Sequence, residues 1–465
     1  MHLRKGIPRG VRVPVVLHIH GDSFGHLVVA GGGWVPDIFR TVLSVITIIG
    51  SIAGAVTGVA GAASAVAALR TLNWTMATAI VTAGAGARGA YEAGVLSVVV
   101  PKLLESGERE IVLVGTSAGA INTAIMAGAA RGSARDLADK LCDTWRQLDV
   151  SKVFKLNVLS VAAFCAEFAG LRWLRDYALL DTRPLRRTAE SGGAVEWAEL
   201  SRSFHDSWLK AAGVVATEVS TGKSIVFVQG LGELPKNNVP RGIEYRAVDL
   251  ASDHVLASAA IPIAFPSIDV QKSGWFVDGG VRLNTPISPG IDLLAKVSPG
   301  PNRMIIVSTD PDPRGPNTAP VASSRPDVID EASSILHSVF VDRVAEDVRS
   351  LRRINAITSA NGAKSIPDRR ADGGQTFDVI EHCYFGPLTR GPIRGKAGEI
   401  FRSKYGPLSF SIFNPLSRAL GNEGPSHDEL LSFLLFDTDY LTALVQMGQA
   451  DAQRLSANGL QWIAW

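Results

Sequence analysis

The sequence predicts an α/β fold with a mainly parallel central sheet and an added helical C-terminal region. Three observations carry this prediction. Strand-like and helix-like segments alternate between residues 76 and 130, and the turns that end the strand-like runs are rich in glycine. In addition, 46% of the 465 residues are hydrophobic and 19% are charged, which is enough apolar material for a large buried core.

Composition and charge narrow the class of protein. The formal net charge is +2 and no long basic run occurs, so we do not expect nucleic acid as a partner. The three cysteines, Cys142, Cys165 and Cys383, lie far apart and form no C-x-x-C pair. They predict neither a zinc site nor a disulfide framework, and they suit a reducing compartment. No cluster of metal ligands is visible in the sequence, so we expect no metal, and we expect no cofactor.

The chain begins with a segment, residues 1–40, that we predict to be irregular. No charged residue then occurs from Thr41 to Leu69, a run of 29 positions. Because this exceeds the roughly 20 residues of a membrane-spanning helix, residues 41–70 are predicted to form a hydrophobic helix. Two alternatives stay open for it. One is a helix embedded in or docked on a membrane, which we favour over a full crossing, and the other is a buried core helix.

The elements of the α/β region follow in order. Residues 76–83 are predicted as a buried strand, and residues 90–106 as a helix with apolar positions four apart. Residues 111–114 are the second predicted strand, and residues 118–130 the helix after it. Between the first strand and its helix lies a loop with the sequence Gly84-Ala85-Gly86-Ala87-Arg88-Gly89.

The remaining chain is predicted in larger blocks. Residues 134–212 have a helical pattern, and short strands are expected at 214–216, at 224–228 and near 302–310. Residues 311–328 are rich in Pro and Ser and predict a linker or loop. Residues 329–465 are expected to be mainly helical, starting with a charged helix from Ile329 to Ile357.

The stretch "VLVGTSAGA", residues 112–120, ends a strand on a serine held between two glycines. This is the nucleophile-elbow pattern G-x-S-x-G, in which a sharp turn from strand to helix exposes the serine hydroxyl. Its members are Gly115, Thr116, Ser117, Ala118 and Gly119. In a chain with 46 glycines the pentapeptide alone is a weak signal, and a plain glycine-rich turn is the alternative.

Three glycine-bearing turns, each after an apolar run, strengthen the case for chemistry: the loop at 84–89, the elbow, and Asp278-Gly279-Gly280. In a parallel α/β sheet such turns share one edge. A serine nucleophile needs a base and a stabiliser for the developing oxyanion. Ser117 offers the hydroxyl, Asp278 a carboxylate, and the N–H groups of the glycine loop at a helix start offer an oxyanion cradle.

Taken together, these turns resemble the patatin-like phospholipase family. The resemblance covers about residues 76–310 and, more weakly, the helices to about 357. It is carried by the G-x-G-x-[RK]-G loop, the elbow and the D-G-[GA] turn, and by "LDTRPLRR" (180–187), "VATEVSTGKSIVF" (215–227) and "ASAAIPIAFPSI" (257–268). Each match is weak alone, but their common order and spacing is a strong signal.

The resemblance implies a three-layer α/β/α fold and a lipid acyl hydrolase of phospholipase A or lysophospholipase type. It implies a Ser–Asp dyad without a catalytic histidine, with Ser117 as nucleophile and Asp278 as proton acceptor. The backbone of residues 84–88 is then the oxyanion hole. The implied substrate is a membrane glycerolipid, so a membrane surface is the expected partner. We expect a membrane-associated protein on the cytoplasmic side.

Two positions in the glycine loop call for comment. Ala85 stands where family members usually have glycine, and a left-handed backbone there would cost on the order of 1 kcal/mol with alanine. Arg88 has two interpretations, either pairing with a substrate phosphate or carboxylate, or bracing the loop by hydrogen bonds to the protein. We favour bracing.

Three other functions compete with the dyad hydrolase. "GAGARG" also satisfies the dinucleotide pattern G-x-G-x-x-G, but the acidic residue expected at the end of the second strand is missing. An α/β-hydrolase triad with the chain order Ser, Asp, His is the second alternative, because His337, His382 and His427 follow Asp278. The third alternative is a non-catalytic, membrane-associated protein on the same fold.

Overall fold

The structure is a computed structural model, and it describes twelve ranges of the chain. These are residues 15–20, 23–29, 76–156, 180–191, 193–262, 264–298, 302–313, 342–360, 365–367, 376–389, 391–405 and 424–464. The chain divides into two compact units, Met1–Asn73 and Trp74–Trp465. The predicted hydrophobic helix at 41–70 lies outside the described residues, as does Cys165.

The first unit contains an antiparallel hairpin, β1 (Val15–His20) and β2 (Ser23–Val29). The prediction of an irregular segment over residues 1–40 is therefore wrong for this part. The two apolar runs are separated by Gly21-Asp22, a dipeptide that favours a tight hairpin turn. The alternation of apolar and polar residues in "VVLHIH" supports a strand as well.

The second unit holds the remaining elements. Its strands are β3 (Thr78–Thr82), β4 (Ile111–Thr116), β5 (Lys155–Leu156), β6 (Leu180–Asp181), β7 (Leu209–Glu218), β8 (Ser224–Gln229), β9 (Ile243–Ala247), β10 (Ile268–Asp269), β11 (Trp275–Asp278), β12 (Arg303–Val307), β13 (Ser365–Pro367), β14 (Thr376–Asp378) and β15 (Glu381–Phe385). Its α-helices are α1 (Gly89–Glu105), α2 (Ala118–Ala129), α3 (Ala134–Arg146), α4 (Val150–Val153), α5 (Arg183–Glu190), α6 (Trp197–Asp206), α7 (Ser252–Ser258), α8 (Ile287–Val297), α9 (Asp342–Ala360), α10 (Gly391–Lys404), α11 (Pro425–Leu434) and α12 (Thr438–Leu455).

A nine-stranded mixed sheet forms the centre of this unit. Strands β7, β4, β3, β12 and β15 lie side by side and are all parallel. On the other side of β7, β8 pairs antiparallel and β9 follows it in parallel. The hairpin β10–β11 completes the sheet by antiparallel pairing of β11 with β7. The α/β fold with a mainly parallel sheet is thereby confirmed.

Helices cover both faces of the sheet. Successive residues of a strand point to opposite faces, so each central strand contributes to two buried clusters. Ile80, Leu113 and Ile305 pack into one buried cluster with α1, α2, α3 and α12. Their strand neighbours pack into a second cluster with α8 and α9, and they include Ala79, Val81, Val112, Val114, Met304 and Ile306. The strands are therefore apolar on both faces, as parallel strands covered on both sides require.

The region beyond residue 329 contains the predicted helices and, in addition, strands that were not predicted. Helices α9 to α12 are present, but β15 adds a strand to the central sheet by parallel pairing with β12. The C-terminal region is therefore part of the fold's core rather than a helical addition only. The charged helix spans Asp342–Ala360, while residues 314–341 lie outside the described residues. Tyr91 of α1 donates to Asp451 of α12 at 2.9 Å, which ties the last helix to the first.

The predicted helical block at 134–212 is interrupted. Helices α3 to α6 occupy much of it, but β5 and β6 form a short antiparallel pair and β7 begins already at Leu209. In the described part of the chain no single helix is long and apolar enough to cross a bilayer. The bent pair α11–α12 reaches the required length and composition only when its two helices are taken together.

Candidate active site

Ser117 occupies the sharp turn between β4 and α2. Its backbone angles are φ 55° and ψ −120°, a left-handed conformation that is rare outside glycine. The turn is tight enough that a Cβ on Gly115 would overlap the carbonyl of Gly119. The glycines two residues on either side of Ser117 are therefore required by close backbone approach, as the elbow pattern predicts.

The backbone of Ser117 is held by Ser258, which lies in the matched stretch 257–268 but has no predicted role of its own there. The Ser117 N–H donates to Ser258 Oγ at 2.9 Å, and Ser258 in turn donates to the carbonyl of Val215 at 2.5 Å. Thr116 beside it donates to the carbonyl of Leu283 at 3.0 Å. These bonds fix the strained turn to β7 and to the loop after β11.

Asp278 meets Ser117 because β4 and β11 lie end to end along the same side of β7. Thr116 at the end of β4 pairs with Val215, and Asp278 at the end of β11 pairs with the next residue, Ala216. The three turns are expected to share one edge of a parallel sheet, but the third turn follows an antiparallel strand. Strand β11 runs antiparallel to β7 and points back toward the end of β4, so the carboxylate arrives from the opposite direction.

Asp278 is a buried carboxyl group with one oxygen already engaged. Its Oδ1 accepts from the Gly280 N–H at 2.7 Å, and its Oδ2 is buried without a hydrogen bond to any described residue. Burial raises the pKa of Asp278 to about 7, and the nearby Ser117 hydroxyl and the Gly280 N–H act in the opposite direction. The group is thus poised to exchange a proton near neutral pH.

The glycine loop lies directly beside Ser117. A Cβ on Gly84 would lie 3.2 Å from the Ser117 Cβ. Within the loop, Gly84 N–H donates to the carbonyl of Asn284 and Arg88 N–H to that of Ala85. In the described structure the N–H groups of the three residues between them, Ala85 to Ala87, donate no hydrogen bond.

The backbone of Ala85 explains why alanine is tolerated there. Its φ is −147°, so no left-handed conformation is required at this position. The left-handed residue of the loop is Gly86, with φ +56°. A Cβ on Gly86 would also lie 2.6 Å from the carbonyl oxygen of Phe433, so both backbone conformation and space call for glycine.

Arg88 is turned into the protein. Its guanidinium pairs with Glu429 at 2.5 Å and donates from Nε to Ser432 at 2.8 Å. It also lies 3.8 Å from the ring centre of Phe433. These partners belong to α11, and the Arg88 side chain is only 3% exposed. This geometry agrees with the bracing interpretation of Arg88, because the side chain fixes the glycine loop against α11.

An apolar pocket opens beside the Ser117 side chain. Its walls come from the glycine loop, from helices α2 to α5, from the segment after α7 and from the connection between α11 and α12. The lining residues are Gly86, Ser117, Ala118, Ile121, Trp145, Leu148, Val153, Leu185, Ala259, Ile261, Phe265 and Phe436. Phe436 lies far outside the motifs found in the sequence, yet it contributes to the wall.

Two of the three histidines of the triad alternative lie elsewhere in the described structure. His382 is buried on β15, where its Nε2 accepts from Arg352 at 3.0 Å. His427 lies on α11 beside Phe401, and His337 falls outside the described residues. Neither Ser117 nor Asp278 has a described histidine among its hydrogen-bond partners.

Comparison with known proteins gives one family. The model of that family, described as patatin-like phospholipase, matches residues 80–291. The curated proteins contain no match. Among solved structures, VipD from Legionella pneumophila is 13% identical with a TM-score of 0.33, and the alignment covers 84% of this chain and 68% of VipD.

A second solved structure is human GIVD cytosolic phospholipase A2 in complex with methyl gamma-linolenyl fluorophosphonate. It is 12% identical with a TM-score of 0.29, and the alignment covers 82% of this chain and 60% of the human chain. The matched family segment contains the glycine loop, the elbow and the Asp278 turn. Residues 80–291 of this chain therefore form a patatin-like phospholipase domain.

Proposed function

We propose that this protein is a lipid acyl hydrolase that cleaves ester bonds of glycerolipids through a dyad of Ser117 and Asp278. The observation that carries the proposal is the placement of a buried carboxylate at the end of β11 against the serine turn, with one oxygen free of described partners. The match to the patatin-like phospholipase family supports the same reaction class.

The proposed chemistry begins with proton transfer. Asp278 accepts the hydroxyl proton of Ser117 as its Oγ attacks the ester carbonyl. The tetrahedral oxyanion is stabilised by N–H groups of the loop from Ala85 to Ala87, which are uncommitted within the described structure. The alcohol leaves with the proton from Asp278, and an acyl-enzyme remains on Ser117.

Deacylation reverses these roles. Water gives a proton to Asp278 and attacks the acyl carbonyl, and the proton then returns to Ser117 as the fatty acid leaves. The apolar pocket beside Ser117 supports an acyl chain as the bound group, because its lining is almost entirely hydrophobic. The proposed substrates are phospholipids or lysophospholipids in a membrane, and the proposed place of action is a membrane surface on the cytoplasmic side.

The test is fatty-acid release from phospholipid in mixed micelles by the purified protein. We expect release by the wild type and a loss of at least about 10³-fold in Ser117→Ala. Ser97→Ala is the matched control, since Ser97 is another buried serine, hydrogen-bonds to Gly94 of α1 and Gln449 of α12, and does not line the pocket beside Ser117. Hydrolysis that persists in Ser117→Ala would refute the assignment of the nucleophile.

A further inference from the structure

An exposed apolar tip stands at the sheet edge that carries Ser117 and Asp278. Trp275 is 57% exposed and Val219 is 54% exposed. The Val219 N–H donates to the carbonyl of Trp275 at 2.9 Å, one step beyond the pair Phe276 and Glu218. Opposed residues of an antiparallel pair share one face, so the two side chains lie side by side. We call these two residues and the turn 270–274 the apolar tip.

The turn of the apolar tip is closed by its own backbone. The Ser273 N–H donates to Val270 at 2.8 Å, and the Val270 N–H donates to Gly274 at 3.2 Å. Gln271 and Lys272 both have left-handed backbone angles, with φ of 50° and 60°. Such angles persist only where the surrounding structure holds them. Lys272 at the apex is exposed and forms no ion pair with a described residue.

The apolar tip is covalently joined to both parts of the proposed active site. Asp278 lies three positions after Trp275, which corresponds to roughly 10 Å along a strand. On the other side, Phe265 of the pocket wall lies three residues before β10. The hairpin is therefore the direct connection between the pocket and the carboxylate.

Further exposed apolar and charged residues lie at the same edge of the sheet as the apolar tip. Val239 is 81% exposed and precedes β9 at its edge end. The segment around it is fixed to the turn after β7, since Arg282 donates to the carbonyls of both Gly222 and Arg241. Lys223 on that turn is exposed as well. Trp275 lies between Val219 and the exposed Asp269, its partner on β10, while Lys223 pairs with Glu244 at 3.4 Å. An exposed aromatic residue with small apolar residues and a lysine such as Lys272 close by is typical of a membrane–water interface.

We propose that the apolar tip docks on the surface of a lipid bilayer and brings the edge with Ser117 to its substrate. This inference rests on the proposed function, because a lipid hydrolase has to collect its substrate from a bilayer. A protein partner is a poorer fit, since a stable interface buries about 800 Å² per partner. Two or three anchors of this kind are enough only for interfacial binding to lipid.

The test places an environment-sensitive fluorophore at the apex of the turn. Lys272→Cys is labelled in the full chain carrying Ser117→Ala, so that no lipid is consumed, and Cys165→Ser, so that labelling is selective. Cys142 and Cys383 are buried. The control is Ile357→Cys on α9, another exposed position away from this edge. Vesicles of phosphatidylcholine, with and without phosphatidylglycerol, are then added.

We expect a blue shift and an increase of emission at position 272 but not at position 357. The same label with Trp275→Ser added should lose most of this change. With Ser117 restored, Trp275→Ser should lower the ratio of vesicle-lipid to soluble-ester hydrolysis by about tenfold. Unchanged emission at 272 on vesicle addition would overturn the proposal. A protein that shows the shift at 272 but hydrolyses neither substrate would refute the proposed function and leave the docking surface intact.

Discussion

The proposed chemistry depends on the protonation state of the Asp278 carboxyl group. It is completely buried, and burial is the main reason that its pKa rises to about 7. A carboxyl group with an ordinary pKa would be a weaker base at neutral pH. The Ser117 hydroxyl beside the carboxylate and the Gly280 N–H both act against this rise in pKa, and burial outweighs them.

The pH dependence of hydrolysis follows from this pKa. Only the ionised carboxylate accepts the Ser117 proton, so kcat/KM should fall about tenfold per pH unit below pH 7 and level off above it. The measurement is kcat/KM on a soluble short-chain ester between pH 5 and pH 9, a range of roughly two pH units on either side of the pKa of Asp278. A profile that is flat between pH 5 and pH 7 would contradict the role of Asp278 as base.

Substitutions at the adjacent residues Ala85 and Gly86 should affect the free energy of unfolding to different extents. Gly86→Ala forces a Cβ onto a left-handed backbone and toward the Phe433 carbonyl, so it should lower the free energy of unfolding by about 1–3 kcal/mol. Ala85→Gly changes a position with φ −147° and should lower it by less than about 1 kcal/mol. Denaturant unfolding of both variants checks this. Equal effects would contradict the loop geometry.

At the scale of elements, helix α11 joins the C-terminal region to the site. It supplies the buried partners of Arg88, and its backbone contacts Gly86. The next connection places Phe436 in the pocket wall, where its ring meets Phe154 edge-on at 6.1 Å. The family segment at 80–291 therefore does not complete the site alone.

Phe436 should influence which acyl chains fit. Phe436→Ala removes a wall of the pocket, so kcat/KM should shift toward longer or bulkier acyl chains by about tenfold relative to short ones. A series of nitrophenyl esters of increasing chain length measures the shift. The matched control is Phe401→Ala, a buried aromatic residue of α10 that is not in the pocket wall. A chain-length profile that changes equally in both variants would contradict the assignment.

Local patterns predicted the elements that local chemistry determines. The glycine turns led to the candidates Ser117 and Asp278. Apolar runs predicted β3 and β4, and the helices α1 and α2 were predicted between and after them, all within a few residues of the observed bounds. The missed hairpin β1–β2 had a local signal in Gly21-Asp22. Strand β15 and the antiparallel direction of β11 had none that decided them, because pairing partners far apart in the chain determine both.

Contacts between residues that are far apart in the chain could not be predicted from the sequence either, because they leave no local pattern. The Arg88 ion pair joins positions 341 residues apart, and the Ser258 bond to Ser117 joins positions 141 apart. Neither follows from the spacing of a motif. The motif identified Arg88 as a residue of interest, but only its burial against Glu429 distinguishes a bracing role from a substrate contact.

At the scale of the whole molecule, the second compact unit contains every described element of the proposed site. That unit spans Trp74–Trp465. A truncated protein that begins at Trp74 should fold and hydrolyse soluble short-chain esters within about threefold of the full chain. Its partition into membranes should fall if residues 41–70 are embedded, as predicted from their composition. Thermal unfolding, ester hydrolysis and vesicle sedimentation test these points.

The result that would contradict the membrane prediction is specific. If the truncated protein is unfolded while the full chain remains in the supernatant with vesicles, residues 41–70 act as a core helix. If both proteins fold and partition equally, the segment contributes nothing to membrane binding. The apolar tip is tested separately, because its fluorophore reports the position of the turn and not the binding of the whole chain.

The measurement that tests the central claim most directly is a comparison of Ser117→Ala, Asp278→Asn and the double variant in ester hydrolysis. A dyad acts as a unit, so each single variant should lose at least about 10³-fold in kcat/KM, and the double variant should lose no more than either. Alanine variants of the nine histidines should stay within about tenfold of the wild type. Losses that multiply in the double variant, or a histidine variant as inactive as Ser117→Ala, would contradict the Ser–Asp dyad.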